Sequence, residues 1–147
     1  MNAPLGRSEI EQILPHRDPF LLLDEVTEIV PGERVVARKL VREDEWYLAG
    51  HFPGRPIMPG VLMLEAMAQA GAVAVLSQPE NRGKLALFAG IDDVRFKRLV
   101  VPGDELELTC AVERLRGPVG RGKATATVGG ELAVRGTLTF AVTEESA

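Results

Sequence analysis

Residues 61–76 read VLMLEAMAQAGAVAVL, and that run decides the fold. It has the Ala, Leu and Met content of an α-helix, yet it lacks the charged face that a surface helix sets opposite its apolar stripe. Glu65 and Gln69 are its only strongly polar side chains. A helix apolar nearly all the way round must be covered on every side, and the flanking sequence supplies the cover. Upstream, FLLLDEVTEIVPGERVVARKLV (20–41) reads as two strands joined at Pro31-Gly32, a pair suited to a turn. Downstream, LALFAGIDDVRFKRLVV (85–101) is β-rich and closes at Pro102-Gly103. DELELTCAVERLRG (104–117), GKATATVGGELAV (122–134) and RGTLTFAVTE (135–144) then alternate polar and apolar residues as strands do. The expected fold class is α+β: a curved antiparallel sheet wrapped around one long central helix, leaving an edge strand and apolar surface that dimerisation would cover.

One other helix is expected, short and amphipathic, in SEIEQIL (8–14), opened by a capping-box-like Ser8 and stopped by Pro15. A chain of 147 residues fits a single domain, 1–147. Its 46% hydrophobic and 26% charged residues are those of a folded globular protein, with loose ends expected only in the first few residues and in TEESA (143–147). A net charge of −4 with both signs interspersed gives no electrostatic footprint for nucleic acid. The opening MNAPLGRSEIEQIL lacks the basic and apolar regions of a signal peptide, and the longest apolar run contains a glutamate and is shorter than a membrane span. A cytoplasmic protein without a membrane partner is therefore expected. The one cysteine, Cys110, permits no internal disulfide and no cysteine-rich metal site. With no histidine near it in sequence, it reads as a small strand residue rather than a catalytic thiol.

The chemistry concentrates just ahead of the long helix, in HFPGRPIMPG (51–60). His51 titrates in the physiological range. Prolines 53, 56 and 59 restrict the backbone beside it, while Gly54 and Gly60 permit close approach. Pro59 and Gly60 place the helix start, so the N–H groups of Gly60 and Val61 point out of its positive end. Within the helix, Glu65 and Gln69 are four residues apart and share a face. Burial of Glu65 raises a carboxyl pKa and suits it to donate a proton near neutral pH. The plainer reading is a structural hydrogen bond to buried backbone or to an arginine such as Arg55. Likewise a lone histidine in a proline-rich loop is often structural. Together, a base, an acid and N–H donors make a site for acid/base work on a carbonyl compound. Spacing leaves open whether His51 and Glu65 meet within one chain or across a dimer.

Three segments, LPHRDPFLLLDEV, GHFPGRPIMPGVLMLEAMAQ and FAGIDDVRFKRLVVPGDELEL, resemble the β-hydroxyacyl-acyl-carrier-protein dehydratases of the FabZ type, which belong to type II fatty acid synthesis. The resemblance runs in order over residues 14–108 and implies the hotdog fold. It implies dehydration of (3R)-hydroxyacyl-acyl-carrier-protein to the trans-2-enoyl form, with lipid A biosynthesis as an associated pathway. By the same resemblance His51 is the catalytic histidine and Glu65 the catalytic acid. The Gly60 N–H contacts the thioester carbonyl, and the Ile57 backbone carbonyl holds the histidine ring. The partners implied are acyl carrier protein and a second copy, in homodimers or trimers of dimers whose sites combine His51 of one subunit with Glu65 of the other. Glutamate at 65 favours this branch over FabA-type dehydratase-isomerases, which carry aspartate there. No metal or organic cofactor is expected, because losing water from the thioester needs none.

Asp18, Leu87 and Leu99 depart from the family pattern. Asp18 stands where an aromatic residue is common, Leu99 where proline is frequent, and Leu87 where many members carry a tyrosine assigned to gating the acyl tunnel. His16 and Arg17 are candidates either for the tunnel lining or for a structural role. Phe52 and Phe88 wall an acyl channel or pack the core, and Asp24 reads as a hydrogen-bonding group. Lys97 and Arg98 are docking candidates for an acidic carrier protein, against the alternative of a solvated strand edge. Competing readings are a hotdog thioesterase, a non-catalytic acyl-binding hotdog and, weakest, a metal site from His51, Glu65 and His16.

Overall fold

The computed structural model describes residues 2–146. Helix α1 spans Arg7–Ile13, and strands β1 (Glu25–Val30) and β2 (Arg34–Leu40) follow. The long helix α2 covers Gly60–Leu76, with a single 3-10 turn at Pro79–Asn81 behind it. Strands β3 (Lys84–Phe96), β4 (Glu105–Arg116), β5 (Val119–Val128) and β6 (Glu131–Ser146) complete the chain. All six strands pair antiparallel in the order β1-β2-β4-β5-β6-β3. This is the hotdog arrangement.

Helix α2 is covered as its sequence requires. Met63, Leu64, Ala66, Met67, Ala70, Val73, Ala74 and Leu76 are buried in one core with Val35 and Ala37 of β2, Leu106 and Leu108 of β4 and Ala124 and Ala126 of β5. Each large side chain so buried contributes about 1.5–3 kcal/mol. The helix approaches β4 closely at Gly71, where an added Cβ would lie 3.1 Å from Cys110 Sγ.

Three local expectations change. Helix α1 begins one residue before Ser8, and its cap is Gly6, whose N–H donates to Glu9 Oε1 at 3.1 Å. The boundary between the segments 122–134 and 135–144 moves, since β6 runs through Arg135 and Gly136 and the β5–β6 turn falls at Gly129-Gly130, both at positive φ. Gly136 serves packing instead: its Cβ would sit 3.1 Å from Val94 Cγ2. The ends are also tied down. Buried Leu5 exchanges two backbone hydrogen bonds with Val26, and residues 143–146 belong to β6. Met1 and Ala147, included in the expected loose ends, lie outside the described residues.

The two sheet edges differ. Edge strand β1 carries Glu25 and Glu28, whereas edge strand β3 exposes Leu87, Phe88, Ile91 and Phe96. Among the described residues no helix is long and apolar enough to cross a membrane.

Candidate active site

The loop over residues 51–59 is rigid for a legible reason. Phe52 and Arg55 exchange backbone hydrogen bonds of 2.8 and 2.9 Å around Gly54, which takes φ +74° at the tip. The Ile57 N–H donates to the His51 carbonyl at 2.8 Å, and the Met58 N–H ties the loop to Val100. The ring of His51 is then held from two directions. Phe52 stacks on it at 4.2 Å, and Nδ1 lies 2.8 Å from the Ile57 carbonyl oxygen. A carbonyl only accepts, so Nδ1 carries the proton and Nε2 presents its lone pair, the form a general base needs.

Helix α2 begins where that loop ends, with Pro59 as its cap. The first N–H groups of a helix have no acceptor within it and sit at the positive end of the dipole. Phe96, at the end of β3, packs across this start, and a Cβ on Gly60 would lie 2.6 Å from its ring. Glycine at 60 is thus a packing requirement as well as the first residue of the helix.

Glu65 follows on α2. Its Oε2 accepts a hydrogen bond from Gln69 Nε2 at 2.9 Å and lies 3.7 Å from His16 Nε2. Arg55 is not its partner. Full burial was expected, but the carboxylate keeps 19% of its side-chain surface exposed, because it faces a cavity rather than the core. Gln69, by contrast, is buried: its Oε1 accepts from Leu22 N–H and its Nε2 also donates to the Phe20 carbonyl, both at 2.8 Å.

The cavity has a volume of about 240 Å³. His16, Phe20, Glu65 and Gln69 line one part, and Leu87, Phe88, Cys110, Leu138 and Phe140 are among the rest. Of the channel candidates, His16 and Phe88 line it; Phe52 does not and instead covers His51. His51 is likewise absent from its lining. His16 stacks on Phe20 and has a lowered pKa, chiefly through burial, with Glu65 opposing that shift and Arg17 adding to it. Burial pushes the Cys110 thiol up to about 12, in keeping with a structural residue.

The remaining candidates fall away from this cluster. Asp24 accepts from the Leu40 N–H at 2.6 Å and pairs with Arg7 and Arg42. Arg17 donates to the carbonyls of Leu14 and His16. Asp18 and Leu99 are exposed, and Leu87 stands at the cavity wall. Arg98 is committed to Asp104 at 3.3 Å and Glu131 at 2.7 Å, whereas Lys97 is exposed and makes no ion pair among the described residues. No three metal-ligating side chains converge among the described residues.

Sequence reading missed two features. The four-residue spacing joined Gln69 to Glu65 but gave no sign that the same amide anchors residues 20–22. Nor did it reveal Lys39, whose buried ammonium pairs with Glu45 at 2.7 Å and so fixes the turns leading to His51.

Residues 14–137 match the family described as the FabA-like domain. The chain is 58% identical over 140 residues to the 3-hydroxyacyl-[acyl-carrier-protein] dehydratase FabZ of Chloroflexus aggregans, covering 95% of this chain and 97% of that protein. It is also 58% identical over 136 residues to the protein of the same name from Moorella thermoacetica, covering 92% and 95%. Among solved structures it is similar to the dehydratase heterocomplex ApeI:P from Xenorhabdus doucetiae, with a TM-score of 0.81 at 21% identity over 99% of this chain and 94% of that one. That last likeness is one of fold.

Proposed function

The chain belongs to the FabA-like family, and from that membership and the site geometry we propose that it dehydrates (3R)-hydroxyacyl-acyl-carrier-protein to trans-2-enoyl-acyl-carrier-protein in fatty acid synthesis, with lipid A precursors drawn from the same pool. The observation that carries the reading is the His51 ring, fixed by the Ile57 carbonyl with Nε2 turned away from it, in the loop that leads into the N-terminus of α2, which has no side-chain cap.

His51 Nε2 removes the α-proton of the thioester. The Gly60 N–H, with the dipole behind it, receives the enolate-like oxygen; one such donor is worth about 10²–10³ in rate. Glu65 delivers a proton to the departing β-hydroxyl, so the Cα–H and Cβ–O bonds break as the Cα=Cβ bond forms and water leaves. Gln69 holds Glu65 for this step.

The active form in this reading is a single-domain cytoplasmic homodimer, or a trimer of such dimers, in which Glu65 of one copy faces His51 of the other. Two observations support it: His51 does not line the cavity that Glu65 faces, and β3 exposes apolar side chains along an unpaired edge. Carrier protein docks by its acidic surface on Lys97; Arg98, already paired, contributes less.

Purified protein given β-hydroxybutyryl carrier protein should generate the enoyl-thioester absorbance, and Glu65→Gln should not. Enoyl product from both would reassign the acid. Release of free thiol in place of enoyl product would replace the reading with a thioesterase.

A further inference from the structure

A second cavity, of about 410 Å³, lies beyond the first along the same helix. Val75 in the last turn of α2, Val112 of β4, Val119 of β5 and Val142 of β6 form the apolar part of its wall, and Glu80, Lys84, Glu113, Arg114 and Glu144 line the rest of it with charge. One large side chain belongs to both cavities: Phe140 of β6. Its ring lies over Gly120 on β5, where an added Cβ would collide with Cζ, so the strand beneath it is bare to admit the ring. Phe140 also faces Phe88 across the β3–β6 ladder.

We propose that Phe140 is the partition that ends the acyl chamber, and that the cavity behind it is a dormant extension able to receive the distal end of a longer acyl chain. The inference rests on the dehydratase reading above, which puts the β-hydroxyl at Glu65. From there the chamber follows α2 past Ala68, Gly71 and Ala72. Seven residues of helix span about 10 Å, the reach of about eight carbons of extended chain. A tail of that length arrives among Leu138, Phe140 and Cys110, all apolar or, for the thiol, nearly so. A longer tail must displace the Phe140 ring or coil behind Leu138, which is buried and packed. Among the described residues no other side chain lines both cavities, so removing the ring joins the chambers toward Val75 and Val142.

The test compares kcat/KM for β-hydroxypalmitoyl and β-hydroxybutyryl carrier protein in wild type, Phe140→Ala, Phe140→Leu and the double variant Phe140→Ala/Val142→Trp. Because each methylene accommodated in an apolar pocket changes discrimination by about tenfold or more, the long-to-short ratio should rise by at least about tenfold in Phe140→Ala. It should rise less in Phe140→Leu, which keeps more of the packing, and return toward wild type when Val142→Trp refills the far chamber. The ratio is internal to each protein, so a general loss of folded enzyme does not imitate the result. A wild type that dehydrates both substrates, with ratios unmoved in Phe140→Ala and Phe140→Leu, overturns the partition alone. A wild type that dehydrates neither overturns the reading of the site on which the partition rests.

Discussion

Gln69 holds Glu65 from one helical turn away, Nε2 to Oε2 at 2.9 Å, while the same amide is pinned to the backbone of Phe20 and Leu22. Four residues along a helix bring the two side chains onto one face. The anchoring to residues 20 and 22 is what turns a neighbour into a fixed support, since all the hydrogen bonds used belong to a buried amide whose rotation would break them together.

Gln69→Leu should therefore damage two properties at once. The Leu22 N–H and Phe20 carbonyl lose their partners, each unsatisfied buried group costing about 1–3 kcal/mol, so the urea midpoint falls. Misplacement of Glu65 lowers kcat by about 10–100-fold with a smaller change in KM. A variant that loses stability but turns over at the wild-type rate under native conditions would reduce Gln69 to a structural role.

A composite site makes a specific prediction about mixing. His51→Ala and Glu65→Ala should each lower kcat/KM by about 10²–10⁴-fold. When the two variants are co-expressed or refolded together, half of the dimers are mixed, and each mixed dimer holds one intact site of two, so about a quarter of wild-type activity returns. Sites complete within one chain give no such recovery, and that result would refute the shared arrangement.

The covered helix was legible because its sequence has no face for water, and the strands because Pro-Gly and Gly-rich turns separate alternating segments. The segment boundary drawn between residues 134 and 135 shows the limit: the chain turns at Gly129-Gly130 instead, and Gly136 packs in mid-strand against Val94, a neighbour 42 residues away in sequence. His51, Glu65 and Gly60 were read as a group because they crowd one short stretch, whereas within one chain Glu65 faces a cavity that His51 does not line. Gln69's anchors, Phe96 over Gly60 and the Lys39–Glu45 pair depend on contacts between distant segments, which local pattern does not encode.

Lys39 and Glu45 form an ion pair with both side chains largely hidden, and Glu45 also accepts from the Arg42 N–H at 3.2 Å. Breaking such a pair from one side leaves an uncompensated charge, at a cost of about 3–5 kcal/mol. Lys39→Met should lower stability by that order in chemical denaturation. Lys39→Met/Glu45→Gln should recover most of it, and failure of the double variant to recover would place the cost in lost packing instead.

Lys97 tests docking because it makes no ion pair among the described residues, while the charge of Arg98 is shared with Asp104 and Glu131. Lys97→Glu should raise KM for carrier-linked substrate and spare short thioester mimics, with the effect shrinking as salt is added. Equal kinetics on both substrates would move the docking surface elsewhere.

His16 gives the pH dependence its sign. Its pKa in the folded chain lies below the ordinary 6.5, mainly because burial disfavours the imidazolium, with Glu65 opposing the shift and Arg17 adding to it. Below pH 6.5 the unfolded chain therefore binds a proton that the folded chain resists, and stability rises with pH wherever the unfolded state binds more protons. This contribution is complete above 6.5 and is lost as pH falls through the window between 6.5 and the lower folded value. Replacing His16 by Gln removes the titration, so the drop in urea midpoint on acidification through that window should be shallower in the variant than in wild type. Parallel profiles for the two proteins would assign the acid sensitivity to the carboxylates instead.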